Sequence, residues 1–410
     1  LAEVLFLAHR IPYPPTKGEK IRAWHFLSHL VRSHVVHLGC LVDDPDDWRH
    51  ADRLRALCGE CHLAALSHTR TWGRALGALA RNEALSVAVV RDLGLARWID
   101  DLLRRRPIEC IFAYSSAMAQ FLPARGLRSI VDFVDVDAEK WRRMASHRRW
   151  PLSWLYRRES LRLAAFDRAA AARCDHCLFV SPAEARAFEA LVPAASGKAI
   201  VLPNGVDAAF FSPALRFPCP LGRGGPILAF TGDMSYWPNQ DAVLWFAQAV
   251  LPRLRIDHPD LRFVAVGRRP GQRLQRAAAR LGITLTGAVA DVRPFLAHAA
   301  VAVAPLRVAQ GVPNKVLEAM AMGKAVVTTP AAVTGLRVRP GADLLVAADP
   351  DEFARAVARA LEPGASRSLG ANARARVRAD YAWAPSLRLL DDLVAPIPDT
   401  GSRPREAAGG

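Results

Sequence analysis

The sequence has 410 residues, 51% of them hydrophobic, which is material for two to three domains on a prior of roughly 150 residues each and excludes a single small module. Its 26 glycines and 29 prolines stay well below a low-complexity share, and no fixed-period repeat is visible, which excludes a mostly disordered chain. The formal charge of +16, carried by 49 arginines against 6 lysines, admits nucleic acid, an anionic membrane or a phosphorylated substrate as partner, with part of the arginine excess attributable to coding bias.

In chain order, short apolar runs rich in Val, Ile and Leu alternate with helical patterns, the signature of parallel sheets covered by helices. The first half predicts strands at Val4–Ala8, Val35–Val42, Ile108–Tyr114, Ser129–Val134, Cys177–Val180 and Ala199–Leu202, continuous runs suited to burial on both faces. After the first strand, a helix over about Glu19–Arg32 places Ile21, Trp24, Leu27, Leu30 and Val31 on one stripe. Ser181-Pro182-Ala183-Glu184 reads as a capping box with proline at the first helical position. Between Asn204 and Gly225 the pattern breaks into prolines and glycines. Strands resume at Ile227–Thr231, Phe263–Val266, Ile283–Thr286, Val301–Ala304, Ala325–Thr328 and Leu344–Val346. The expected organisation is a first Rossmann-like domain over 1–210, a linker over 211–225 and a second Rossmann-like domain over 226–380. A helix within 381–398 is expected to pack back on the first domain, with a disordered tail over 399–410.

Seven scattered cysteines with no signal peptide before them argue against a disulfide framework and for a reducing cytoplasm. The longest apolar runs, such as Val301–Leu306, are far shorter than the ~20 residues of a membrane span. The chain opens on Leu1, so a residue or more before it is expected. The pairs Cys58/Cys61 and Cys174/Cys177 have the spacing of half zinc sites. The second pair leads into a strand, where residues three apart point to opposite faces, so buried structural thiols are expected instead.

The most informative stretch runs from Ala304 to Lys324. A strand ends near Leu306, a glycine loop follows, and a helix starts near Pro313 and stops at Gly323. In such sheets ligands bind outside the carboxyl ends of the strands. The open N–H groups and dipole of the helix start attract an anion, a phosphate above all, and Lys315 in the first turn adds a full positive charge. Glu318, about one turn on, can accept hydrogen bonds from a ribose diol. An isolated Lys-x-x-Glu would otherwise read as a solvated helix face.

This segment resembles the paired-glutamate region of retaining GT-B glycosyltransferases of family 4, in which Gly-x-x-x-Lys-x-x-Glu-Ala-Met-Ala-x-Gly holds a nucleotide diphosphosugar. Phe179-Val180-Ser181-Pro182-Ala183-Glu184, Val201-Leu202-Pro203-Asn204-Gly205-Val206-Asp207, Phe230-Thr231-Gly232-Asp233-Met234 and Val266-Gly267 look like that family's other landmarks. The stretches Leu7–Gly18 and Val131–Trp141 are similar to sugar transferases associated with bacterial exosortase/PEP-CTERM exopolysaccharide systems. The resemblance implies an α/β GT-B fold, two Rossmann-like domains facing a cleft, with the acceptor on the first domain and the donor on the second. It implies a retaining transfer without a cofactor or obligatory metal. Lys315 and Arg307 are then expected to meet the diphosphate, Glu318 the ribose and Gln310 the transferred sugar, while Gly18, Gly232, Gly267 and Gly311 let backbone approach the donor.

Two departures matter. The first glutamate of the family pair falls on Gln310, an uncharged amide. The Arg/Lys pair that many relatives carry after the first strand of the second domain is replaced by Asp233-Met234-Ser235-Tyr236-Trp237-Pro238-Asn239. Asp135-Val136-Asp137 spells the metal-binding D-x-D of another transferase fold, but the surrounding landmarks argue for a site without metal. Two readings of it stay open: Asp135 or Asp137 orients a sugar, or the pair caps a helix. Arginine is densest over 141–173, interleaved with Trp141, Trp150, Trp154, Tyr156 and Phe166. That composition suits an anionic membrane surface, and equally a solvated helix with its aromatics packed inward; nucleic acid has no accompanying motif.

The expected function is therefore transfer of a sugar from a UDP- or GDP-linked donor to a lipid-linked or saccharide acceptor, in the cytoplasm or at the inner face of the cell membrane. The alternatives are a nucleotide-sugar epimerase of the same fold and a catalytically silent membrane-associated scaffold. A Rossmann dehydrogenase is disfavoured because His9–Gly18 stands where Gly-x-Gly-x-x-Gly belongs.

Overall fold

The structure, a computed structural model, describes residues 2–15, 18–66, 68–123, 126–146, 148–309 and 311–395; Gln310 and the expected tail lie outside them. Two parallel sheets organise the chain. The first contains β1 (Glu3–Ala8), β2 (Val35–Val42), β3 (Cys61–Ala65), β4 (Ile108–Tyr114), β5 (Arg128–Val134), β6 (His176–Phe179) and β7 (Ala199–Val201) in the order 3-2-1-4-5-6-7. Its central strands are the continuous apolar runs of the sequence, and β1 from Val4 to Ala8 is fully buried. Alternate residues feed opposite faces. Leu5, Leu7, Ile111 and Ala113 pack with Leu95, Ile99 and Leu102, while Phe6 stacks on Phe112 at 5.0 Å and Phe26 meets the same ring edge-on at 5.8 Å. Strand β3 has no counterpart among the expected strands: it is a half-buried edge strand of His, Leu and Ala, without the β-branched run that marks its neighbours.

The second sheet holds β8 (Ile227–Thr231), β9 (Arg262–Val266), β10 (Thr284–Leu285), β11 (Val301–Ala304), β12 (Val326–Thr328) and β13 (Leu345–Val346) in the order 10-9-8-11-12-13. In both sheets the order reverses at the first strand, between β1 and β4 and between β8 and β11. These switch points are where doubly wound sheets open a crevice for ligands.

The chain forms two compact units: the first runs to Leu202 and takes up the chain again from Leu387, and the second is Pro203–Ser386. The stretch 211–225, expected as a linker, lies within the second unit. Around it, Val206 N–H donates to Tyr381 O at 2.8 Å, Arg374 donates to Phe211 O at 3.1 Å and His298 Nε2 lies 2.7 Å from Phe217 O. The helix Trp383–Val394 begins in the second unit and ends in the first, where Asp391 contacts His29 Nε2 at 2.8 Å.

Candidate functional site

In the second unit, the loops after β8 and β11 converge at the switch point. After β11, Thr328 Oγ1 donates to Ala304 O at 2.8 Å and Thr329 Oγ1 to Leu306 O, which fixes where the chain leaves the sheet. Gly311 then turns the backbone at φ 64, a left-handed conformation that favours glycine. The helix Asn314–Ala321 follows and stops before Gly323, which takes φ 65. Val316, Leu317, Ala319 and Met320 are buried on its inner side, which leaves Lys315 and Glu318 half-buried on the other face.

Lys315 passes Gly232 of the β8 loop and reaches the first turn of the helix Trp237–Trp245 that follows it. Its Nζ donates to Asn239 Oδ1 at 2.5 Å and lies 4.4 Å from the Phe230 ring centroid, a cation–π position. Asn239 is itself 6% exposed, and its Nδ2 donates to Asp233 O at 2.7 Å. Gly232 and Gly267 bring the chain close around this lysine. A Cβ at Gly232 would stand 2.9 Å from both Asn239 Nδ2 and Lys315 Nζ, and one at Gly267 would fall 1.7 Å from Gly232 O. Asp233 is held by Ser235, whose N–H and Oγ donate at 2.9 and 2.7 Å, and by Arg268 Nε at 3.0 Å.

Burial pushes Lys315 down to about 7, against the opposing pull of Glu318, and pushes Glu318 up to about 7, against the pull of Lys315. Among the described residues Glu318 accepts at its backbone oxygen, from Met322 N–H at 3.0 Å, while its carboxylate accepts no hydrogen bond and forms no ion pair and so is open to a ligand. Arg307 stands differently. It forms a two-pronged pair with Asp241 at 3.0 and 2.5 Å and is about half exposed, so its charge is already met. Asn239 and Arg268 were not marked by sequence reasoning; the Gly267-Arg268-Arg269 run after β9 was a signal for the second, and nothing local marks the first.

In the first unit, His9, Ser115 and Asp135 each directly follow a strand, β1, β4 and β5, which are neighbours in the sheet. Each carries a buried polar atom without a hydrogen-bond partner: His9 Nδ1, Ser115 Oγ and Asp135 Oδ1. Ser115 takes φ 76 and Val134, just before Asp135, φ 68. Such conformations cost about 1–3 kcal/mol in non-glycine residues and concentrate at functional sites. Burial and then the Glu184 carboxylate push Asp135 up to about 6. Glu184 is there because the capping box is half diverted: Ser181 Oγ accepts from Glu184 N–H at 3.2 Å, but the Glu184 carboxylate accepts from Val136 N–H at 2.7 Å. Asp137 instead pairs with Lys140 at 3.3 Å in the first turn of the helix Asp137–Ser146. Gly18 opens the helix Gly18–Leu30, which Arg22 locks to β5 through Asp132 at 2.6 and 3.1 Å.

Of the two cysteine pairs, one leads into β3 and the other into β6, five strand positions apart, or roughly 24 Å at the usual spacing. They are not halves of one site, and among the described residues no group of three or more His, Cys, Asp or Glu could hold a metal ion. Over 141–173 the structure separates the aromatics. Trp141 packs on Tyr156 at 5.1 Å and Phe166 joins the core, whereas Trp150 and Trp154 are exposed. Glu159 and Asp167, the acidic residues of the segment, are both buried, while Arg143, Arg148, Arg149, Arg157, Arg162 and Arg168 are exposed and outside any ion pair among the described residues. No helix among the described residues is long and apolar enough to cross a membrane.

A two-unit α/β architecture with a Rossmann order in each sheet is the GT-B fold, and solved structures share it. Sucrose-phosphate synthase from Thermosynechococcus elongatus superposes with a TM-score of 0.68 at 16% identity, over 96% of this chain and 98% of that one. Anabaena HepE in complex with UDP and glucose superposes with a TM-score of 0.68 at 14% identity, over 97% and 100%. WaaG, a glycosyltransferase involved in lipopolysaccharide biosynthesis, gives 0.67 at 17% identity, over 95% and 99%. Residues 225–363, most of the second unit, match the family described as Glycosyl transferases group 1. The chain is a glycosyltransferase of GT-B type. No curated protein sequence matches it.

Proposed function

We propose that this chain transfers a sugar, with retention of configuration, from a nucleotide diphosphosugar to a lipid-linked or saccharide acceptor in exopolysaccharide biosynthesis, without an obligatory metal. The observation that carries the donor half is the polar face of the helix Asn314–Ala321, where a lysine fixed at the β8 loop and an unpaired glutamate lie beside an open helix start. Departure of the diphosphate is limited by its developing charge, and preorganised cations and N–H groups stabilise it. In this reading Lys315 and the backbone around Gly311 meet the phosphates, and Glu318 accepts from the ribose. Arg307 contributes to the field while paired with Asp241. The unsatisfied edge of His9, Ser115 and Asp135 receives sugar hydroxyls, with Asp135 accepting from one of them. HepE was solved with UDP and glucose, and WaaG acts in lipopolysaccharide biosynthesis, chemistry of the same kind. The exposed arginines and tryptophans of 141–173 favour a peripheral position on the anionic inner face of the cell membrane.

The test is a thermal-shift panel of UDP- and GDP-linked sugars, since a ligand of the folded state raises stability by mass action. A shift with one donor, followed by product formation that requires an added acceptor, supports transfer. Conversion of the donor alone marks an epimerase, binding without turnover marks a silent scaffold, and no shift across the panel rejects the donor site.

A further inference from the structure

Lys315 and Glu318 are three residues apart on one helix, the spacing at which lysine and glutamate pair. Both are half-buried, where an unpaired charge is costly. Yet they form no ion pair. The lysine is drawn the other way, to Asn239 Oδ1, 76 positions earlier in the chain. Asn239 cannot turn away: its Nδ2 is spent on Asp233 O, and the Asp233 carboxylate is held by Ser235 and Arg268.

We infer that Asn239 is a positioning residue, which holds the Lys315 ammonium at the β8 loop and so keeps the Lys315–Glu318 pair open for a nucleoside diphosphate. This rests on the donor-site reading above. The residue type fits the task. An ammonium has three N–H donors; an amide oxygen takes one without cancelling the charge, which leaves two donors and the full positive charge for phosphate oxygens. A carboxylate at 239 would neutralise the lysine before the ligand arrived. The other charged groups on the elements packed here are engaged: Asp233 with Arg268, and Asp241 with Arg307. Glu318 is thus the partner onto which Lys315 collapses when Asn239 is removed, and the collapse occupies both ligand-facing groups at once.

The test compares the wild type with Asn239→Ala, titrating the tightest-binding nucleotide sugar of the panel across pH. In the wild type, affinity falls on the alkaline side as pH rises above about 7 and the lysine loses its proton, while Glu318, which ionises over the same range, shapes the acid side. In Asn239→Ala, affinity drops about tenfold. The fall-off also moves up by about one pH unit, because a lysine paired with a carboxylate keeps its proton longer. Asn239→Ala with Glu318→Gln removes the partner, and the upward move disappears. A merely structural role for Asn239 would lower affinity and melting temperature and leave the pH of the fall-off in place. That result, or unchanged affinity in Asn239→Ala, overturns the inference, whereas absence of binding by the wild type counts against the donor site itself. Should the alanine variant fail to fold, Asn239→Ser, whose hydroxyl is too short to reach Nζ, carries the same comparison.

Discussion

Arg22 and Asp132, 110 positions apart, meet through two hydrogen bonds of 2.6 and 3.1 Å, with both side chains at most 1% exposed. The pair ties the helix after β1 to the end of β5, and Arg22 Nη1 continues to Leu202 O at 2.8 Å. The helix after β1, the end of β5 and the chain after β7 are thereby fixed together. Asp132→Ala strands a buried guanidinium without its carboxylate and is expected to cost about 3–5 kcal/mol. Replacing both residues by leucine is expected to cost clearly less. Denaturant unfolding of the single and double variants measures the difference.

Lys315 and Glu318 set a second expectation, in the unliganded protein. Folding lowers Lys315 from 10.5 to about 7, so its penalty is fully present below pH 7 and fades as pH rises towards the unfolded value. Folding raises Glu318 from 4.5 to about 7, so its penalty is absent at low pH and grows as pH rises to about 7. Both penalties operate near neutrality. Lys315→Met is therefore expected to raise the melting temperature at and below neutral pH, and Glu318→Gln at and above it. A gain of a few degrees corresponds to about 1 kcal/mol in a unit of this size. Lys315→Met loses nucleotide-sugar binding, whereas Glu318→Gln, whose amide oxygen still accepts from a hydroxyl, weakens it to a measurable level, and parallel thermal melts with and without ligand separate the effects on stability and binding.

Much of this was legible in the sequence, because buried parallel strands are continuous apolar runs and a loop-helix ligand site is local. The Gly311–Gly323 segment folds as its residues dictate, and Lys315 and Glu318 share the polar face their spacing implies. What was not legible depends on partners distant in the chain. Arg307 looked like a ready cation until Asp241, 66 positions earlier, took both prongs of its guanidinium. Asn239 has no motif of its own, and its role exists because β8 and β11 are neighbours. The capping box at Ser181 was half right for the same reason: the chain brings Val136 N–H close enough to claim Glu184.

The basic segment yields a prediction about surfaces. Arg148, Arg149, Arg157 and Arg162 are exposed and unpaired among the described residues, and Trp150 and Trp154 are 80% and 56% exposed. Each well-placed cation contributes about 1 kcal/mol at an anionic surface. Arg148→Glu with Arg149→Glu is thus expected to weaken sedimentation with phosphatidylglycerol vesicles by about tenfold or more, and added salt to weaken the wild type in the same direction. Trp154→Ala should weaken binding with a smaller salt dependence. Equal partitioning of all variants would leave these residues as a solvated face.

Asp135 offers the sharpest separation of binding from transfer. Its carboxylate follows a strained Val134, keeps Oδ1 buried and unpartnered, and sits beside Glu184, which together with burial raises it to about 6. A group so placed is charged above that pH and neutral below it, so a role in accepting a sugar hydroxyl proton is present above about pH 6 and lost as pH falls through it. Turnover of the wild type should therefore fall on the acid side with a midpoint near the same value. Asp135→Asn keeps the shape, removes the charge and relieves its burial cost. It is expected to melt no lower than the wild type at neutral pH, to bind the donor nucleotide with unchanged affinity, and to lose turnover by a factor of about 100 or more. An Asn variant that retains turnover, or an acid limb unchanged by the substitution, would make Asp135 a part of the helix start after β5 and nothing more.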